Sequence, residues 1–288
     1  MHDDHGPARI PIVASIAPFA ADADAFVCDI WGVIHNGVAA YPCAVEACLK
    51  FREAGGIVVL LSNAPRPSTA VETQLARLGV SRTAYDAVVT SGDLTRRLIA
   101  ERKGVSLFHL GPDRDRGLFE GLDVSLVDAD AARLIVCSGL FDDTREGPED
   151  YRTRLSALAA RRLPMICANP DIVVERGDRL VYCAGALASL YEELGGNVIY
   201  AGKPHAPIYD MVSEIIASLK GPPVPRARML AIGDGIRTDI AGALRAGMRA
   251  VFVASAVHVD APLEETTLST LFEGLEGRPV AAMPALAW

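Results

Sequence analysis

Short apolar runs recur along the chain, and each stops abruptly at polar residues or glycine. The first, Phe26-Val27-Cys28, closes on Asp29 and is followed by Gly32 and an Asn36-Gly37 turn signal. The second, 57–61, closes on Ser62-Asn63, and a third short run spans 87–90. Val198-Ile199-Tyr200 leads through Ala201-Gly202 to Lys203-Pro204. Met229-Leu230-Ala231-Ile232 ends in Gly233-Asp234-Gly235, with Asp239 close behind. Between these runs lie helix-like stretches with glycine stops: 44–54 before Gly55-Gly56, and 69–78 before Gly79. Strand-like and helix-like segments alternate as βαβαβ. This pattern predicts an α/β fold with a doubly wound parallel sheet and right-handed crossovers. A carboxylate at the carboxyl end of a buried strand stands where such sheets bind ligands, although Asp29 taken alone is better read as a turn cap.

The middle of the chain is less regular. It predicts helices over 94–102 and 151–160 and strands over 105–110, 134–137 and 164–168, a block large enough to fold by itself. A helix over 185–194 is expected to return to the core. Helix 208–219, strand 228–233, helix 239–246 and strand 250–253 follow. Residues 1–23 read as a flexible start, in which His2 and His5 flank two acids but belong to a tail rather than a metal grip. The Ala- and Pro-rich stretch after His258 is expected to pack loosely.

Composition narrows the functional classes. The chain has 288 residues, half of them hydrophobic, enough for a sizeable core. A net charge of −8 without a basic run disfavours nucleic acid as a partner. No apolar run is long enough to cross a bilayer, and the polar start Met1-His2-Asp3-Asp4 lacks a signal-peptide n-region. The six cysteines lack paired CxxC spacing, and several sit in apolar runs, so the expected compartment is a reducing cytoplasm. The expected partner is a small molecule rather than a membrane or nucleic acid. A homodimer stays open.

Taken in chain order, the four run ends are Asp29, Ser62-Asn63, Lys203, and Asp234 with Asp239. This order resembles the haloacid-dehalogenase-like (HAD) superfamily of phosphotransferases over roughly residues 24–255. The closest resemblance is to its class IIA branch of N-acetylglucosamine-phosphate phosphatase-like and nitrophenyl-phosphatase-like proteins. The resemblance implies a Rossmann-like HAD core over 1–88 and 186–288, with an inserted α/β cap domain over 89–185 acting as a lid. It further implies a hydrolase, a phosphoric monoester phosphatase acting on a sugar-phosphate-like metabolite. By that resemblance Asp29 is the nucleophile, forming an aspartyl-phosphate. Asp29, Asp234, Asp239 and the Trp31 carbonyl would hold Mg²⁺, a hard cation suited to carboxylates. Ser62 and the Asn63 backbone N–H would bind phosphate oxygens, and Lys203 would neutralise charge. Ala168-Asn169-Pro170-Asp171 resembles the branch's substrate-facing loop, which gives Asn169 and Asp171 a substrate-binding role. Arg66 could add an anion contact.

One position departs from the pattern. Phosphatases of this superfamily usually carry a second Asp two residues beyond the nucleophile, and here Trp31 stands there. General acid–base help contributes roughly 10²–10⁴-fold, so the expected phosphatase is slow. His35 is the nearest titratable substitute, though a loop histidine without a role is the plainer reading. The alternative is a phospho-ligand-binding or regulatory protein on the same scaffold. A dehydrogenase is disfavoured because no GxGxxG follows a strand, and Gly202-Lys203-Pro204 is no Walker loop. The paired acids argue against a dehalogenase.

Overall fold

The computed structural model describes residues 9–176, 179–254 and 263–288. The histidines His2 and His5 lie outside these residues, as does the stretch just after Ala254. In chain order the elements are α1 (Ala17–Ala20), β1 (Ala25–Asp29), α2 (Pro42–Glu53), β2 (Ile57–Ser62), α3 (Ser68–Arg77), β3 (Ala87–Thr90), α4 (Ser91–Ala100), β4 (Val105–Leu110), β5 (Val124–Leu126) and β6 (Leu134–Cys137). There follow α5 (Arg152–Ala160), β7 (Pro164–Cys167), β8 (Val173–Arg176), β9 (Arg179–Tyr182), α6 (Ala184–Glu193), β10 (Asn197–Tyr200), α7 (Ala206–Lys220), β11 (Met229–Gly233), α8 (Ala241–Arg245), β12 (Arg249–Val253), α9 (Glu265–Leu271) and β13 (Ala281–Met283). The chain divides into two compact units. One comprises Met1–Leu61, Leu75–Ala87 and Val212–Trp288, and the other Ser62–Gln74 and Val88–Met211.

The first unit is built on a parallel sheet in the order β13-β12-β11-β1-β2. β1 is buried along its whole length, which explains its run of apolar residues without alternation. Phe26 of β1 stacks flat on Phe51 of α2, with ring centroids 3.6 Å apart. The tail differs from the sequence expectation. Its described part is well packed: β13 adds to β12 in parallel register, and Leu268 and Phe272 are buried, with the Phe272 ring edge-on to Phe252 at 5.3 Å. Backbone pairing holds it, with Val280 N–H donating to Ala250 and Ala254 N–H to Met283. Small alanines at 281 and 282 allow this close approach, so a stretch without bulky side chains still joins the core. Ile12, near the first described residues, is also tied down by a bridge to Ala282.

The second unit has its own parallel sheet, β10-β7-β6-β4-β5, and a separate antiparallel hairpin of β8 and β9. Its core gathers Ile135, Met165, Leu155, Leu187 and Tyr191. Helix α6 therefore packs here rather than with the first sheet, because its buried face is aliphatic and meets β6 and β7. Helix α4 starts three residues earlier than the apolar spacing suggested. Thr90 and Asp93 form a reciprocal capping box, each side chain accepting from the other's backbone N–H, which opens the helix at Ser91.

Candidate active site

In the first unit, parallel pairing places the carboxyl ends of β1 and β11 side by side, with Cys28 opposite Ile232. Asp29 and Asp234 thus emerge next to each other. Asp239 joins them from a single π-helical turn, Ile236–Ile240, which precedes α8 where a plain α-helix from 239 was expected. Its N–H donates to the Gly235 carbonyl at 2.8 Å, and its Oδ2 accepts from Gly235 N–H at 3.1 Å. The two glycines have a steric reason. A Cβ on Gly233 would lie 2.3 Å from Asp239 Cβ, and one on Gly235 would lie 2.0 Å from Thr238 Oγ1. The Gly-Asp-Gly signature therefore makes room for an acid. All three aspartates are buried, and each offers an oxygen within 4.8 Å of the others. Such a concentration of carboxylate in a buried place suits a hard cation. Burial raises the thiol pKa of neighbouring Cys28 well above its ordinary value, with Cys48 adding to the shift. It is an inert packing residue.

Trp31 occupies the turn that follows β1. Gly32 N–H donates to the His35 carbonyl at 2.8 Å, closing the turn. Gly37 has φ +86°, and a Cβ there would lie 2.4 Å from Trp31 Cη2, so the indole rests directly on a glycine. His35 meets the indole edge to face at 5.5 Å. His35 is buried, and its Nδ1 accepts the Gly37 N–H at 2.9 Å. Burial lowers its pKa and favours the neutral ring. Trp31 nevertheless remains 39% exposed. Tyr41, which sequence reasoning passed over, lies within electrostatic reach of Asp234. Burial, with a further contribution from that charge, raises the phenol's pKa.

In the second unit, Asn63 is a hub. Its Oδ1 accepts Lys203 N–H at 2.8 Å and Ser91 Oγ–H at 3.2 Å. Its Nδ2 donates to Asp171 Oδ1 at 2.8 Å and to the Lys203 carbonyl at 3.1 Å. Four sites distant in sequence are thereby joined through one amide. The sequence signalled Asn63, Asp171 and Lys203 but not Ser91, whose role appears only when α4 is placed. Lys203 itself is buried. Ser62 Oγ accepts Ala64 N–H at 3.1 Å and turns the chain after β2. Asn169 Oδ1 accepts Asp171 N–H at 3.0 Å, the Asx turn expected of Asn-Pro. Arg66 bonds Gln74 at 3.3 Å, and its carbonyl accepts Thr90 Oγ1–H. A further polar chain lies deeper in this unit. His109 Nε2 and Ser138 Oγ are 2.9 Å apart, and Ser138 also bonds Asp115. Burial depresses the His109 pKa to about 4.

A parallel sheet whose strand ends collect three buried carboxylates is built to hold a hard cation beside a ligand. A haloacid dehalogenase-like hydrolase family model matches residues 26–125, and a HAD-hydrolase-like model matches residues 200–274. The chain is 43% identical to a haloacid dehalogenase-like family hydrolase of Brucella suis 1330, with a TM-score of 0.85, over 96% of this chain and all of that one. It is 25% identical to the ribonucleotide monophosphatase NagD of Escherichia coli K12, over 80% of this chain and 87% of NagD. The p-nitrophenyl phosphatase of Archaeoglobus fulgidus shares the fold, with a TM-score of 0.70 at 23% identity over 92% and 97% of the two chains. The chain belongs to the haloacid-dehalogenase-like hydrolases, and its similarity to NagD is consistent with class IIA. Among the described residues no helix is long and apolar enough to cross a membrane.

Proposed function

We propose that this chain is a Mg²⁺-dependent phosphatase of a small phosphorylated metabolite and works through an aspartyl-phosphate on Asp29. The convergence of three buried carboxylates within 4.8 Å carries this reading. Asp29, Asp234, Asp239 and the Trp31 carbonyl would hold the cation, which when bound offsets repulsion between phosphate and nucleophile. Asp29 attacks phosphorus. Ser62 and the Asn63 N–H hold phosphate oxygens, and Lys203 neutralises their charge. Arg66, Asn169 and Asp171 contact the substrate, with residues 89–185 as the cap. The Asn63–Asp171 bond supports that grouping, because it ties a substrate residue to a phosphate-binding loop. Trp31 supplies no proton, so a sugar-phosphate-like ester with an alkoxide leaving group turns over slowly. The relatives' names, ribonucleotide monophosphatase and nitrophenyl phosphatase, are compatible with this substrate size. The proposed compartment is the cytoplasm.

Trp31 also favours a second reading, a phospho-ligand-binding or regulatory protein with weakened hydrolysis. A phosphatase screen over many metabolites, with Mg²⁺, with EDTA and with Asp29→Asn, separates the two. The enzyme reading expects turnover that EDTA and Asp29→Asn both abolish. Binding without any such turnover selects the regulatory reading.

A further inference from the structure

We propose that a groove beside helix α5 is a binding site for a free α-amino acid with a large apolar side chain. The site stands apart from the phosphatase reading above. Its origin lies in the connections of the second sheet. From β5 to β6, from β6 to β7 and from β7 to β10 the chain advances the same way along the order β5-β4-β6-β7-β10. Right-handed crossovers put all three connections on one face. Helices α5 and α6 cover two of them, but the connection from β5 to β6 holds only a 3-10 turn, Ala129–Ala131. Phe108 of β4 is left only partly buried there. Beside that turn lies a cavity of about 530 Å³, lined by Asp130, Phe141, Tyr151, Arg154 and Leu158 among others. Cavities of this size accept small ligands. Its frame is fixed. Tyr151 accepts the Phe141 N–H at 2.7 Å and donates to Glu146 at 2.5 Å, and Arg161 donates to the carbonyls of Ala129 and Ala132 at 2.6 and 2.9 Å.

The charges that line the cavity fall into two groups. Glu146, Asp150 and Arg161 are committed: besides the bonds above, Glu146 accepts Asp142 N–H and Asp150 accepts Gly147 N–H, both at 2.8 Å. Arg154 and Asp130 are open. Among the described residues neither makes a hydrogen bond or an ion pair, and although they line one cavity they do not pair with each other. Arg154 is nonetheless held in place. Its guanidinium carbon lies 5.1 Å from the Phe141 ring centroid and 6.0 Å from that of Phe108. A guanidinium set against aromatic rings uses its faces and keeps its edge N–H groups, which match a carboxylate two at a time. Phe141, 39% exposed, adds open aromatic surface. One open cation, one open anion and an aromatic wall in a single cavity suit a ligand with the opposite charges and an apolar body. An α-amino acid has all three: its carboxylate meets Arg154, its ammonium meets Asp130, and its side chain lies on Phe141. A simple anion would face Asp130 unmatched, and a simple amine would face Arg154.

The probes are L-phenylalanine, 3-phenylpropionate, which lacks the ammonium, and 2-phenylethylamine, which lacks the carboxylate. Isothermal titration reads their affinities for the full chain. The wild type should bind L-phenylalanine saturably at millimolar concentration, and each analogue roughly 10- to 100-fold more weakly. Arg154→Gln should weaken L-phenylalanine and 3-phenylpropionate and leave 2-phenylethylamine unchanged. Asp130→Asn should weaken L-phenylalanine and 2-phenylethylamine and leave 3-phenylpropionate unchanged. Both residues are exposed and neither belongs to the proposed catalytic machinery, so the variants should keep the wild-type Tm. No saturable binding of L-phenylalanine to the wild type overturns the proposal. So does an analogue that binds as tightly as the amino acid, because one charge then suffices, and so do variants with wild-type affinity for L-phenylalanine. Asp29→Asn should bind the amino acid like the wild type, so failure of the phosphatase reading and failure of this site are told apart.

Discussion

Replacing Gly233 with alanine should dismantle the carboxylate cluster without altering a carboxylate. The new Cβ would lie 2.3 Å from Asp239 Cβ and 2.4 Å from its Cγ. Carbon atoms rest near ~3.5–4 Å, so one side must yield by more than ~1 Å. β11 is flanked in register by β1 and β12 and cannot move easily. The π-helical turn that carries Asp239 is the softer partner. A metal site tolerates donor errors of only ~0.2 Å, and losing even a supporting contact costs about 10–100-fold in affinity. We therefore expect Gly233→Ala to weaken Mg²⁺ binding by at least ~10-fold in isothermal titration. Overpacking should also cost about 1–3 kcal/mol. For a domain of this size each kcal/mol lowers Tm by roughly 2–4 °C, which calorimetry resolves. Adding Asp239→Gly to the variant removes both clashing carbons and should recover part of the Tm, while Mg²⁺ binding stays weak. Gly233→Ala with wild-type Mg²⁺ affinity and Tm would refute the reasoning.

Three further outcomes are expected. Trp31→Asp should speed hydrolysis of sugar phosphates by up to roughly 10²–10⁴-fold if the carboxylate is well placed, and steady-state kinetics on an unactivated ester reads it. Efficient wild-type turnover of such an ester would contradict the role given to Trp31. Because the folded His109 pKa of about 4 lies below the ordinary 6.5, the unfolded chain binds the extra proton first. Stability should therefore be full above pH 6.5 and decline as pH falls toward 4, by up to about 3 kcal/mol from this group. His109→Asn should flatten that part of a urea-denaturation pH profile, and an unchanged slope would exclude His109 as its source. Asn63→Ala should destabilise the chain by about 2–4 kcal/mol, since it strands the Lys203 backbone groups, and a Tm within one degree of wild type would count against the hub.

The chemical residues were more legible in the sequence than their supports. Asp29 and Asp234 each end an apolar run, and a buried parallel strand leaves that signature because both its faces are covered; Lys203 follows β10, a half-exposed edge strand. The short β5 and the hairpin strands β8 and β9 escaped notice. Exposed apolar residues such as Leu126, Val173, Leu180 and Tyr182 break any inside–outside alternation there. β13 was hidden for the opposite reason, since alanines carry almost no hydrophobic signal yet bury completely. Helix α6 announced its existence but not its allegiance, because an aliphatic face does not name the sheet it will cover. The π-helical turn and the Ser91 contact with Asn63 depend on close approaches that no periodicity encodes. Tyr41 was similarly invisible, because nothing local links it to Asp234.

The Asn63 amide also bears on the order in which the chain acquires its shape. Its partners stand 28, 108 and 140 positions away along the chain. Closing a loop that long is entropically costly, and contacts so far apart slow the search for the native state. While the chain is being synthesised, residue 63 emerges long before residue 203. Until then the loop after β2 has a hydroxyl turn at Ser62 but neither of the two Lys203 backbone groups that the amide binds. A loop held this way matures late, after the second unit's sheet has its last strand, β10. Fragments ending short of that strand should therefore hold secondary structure without holding the loop.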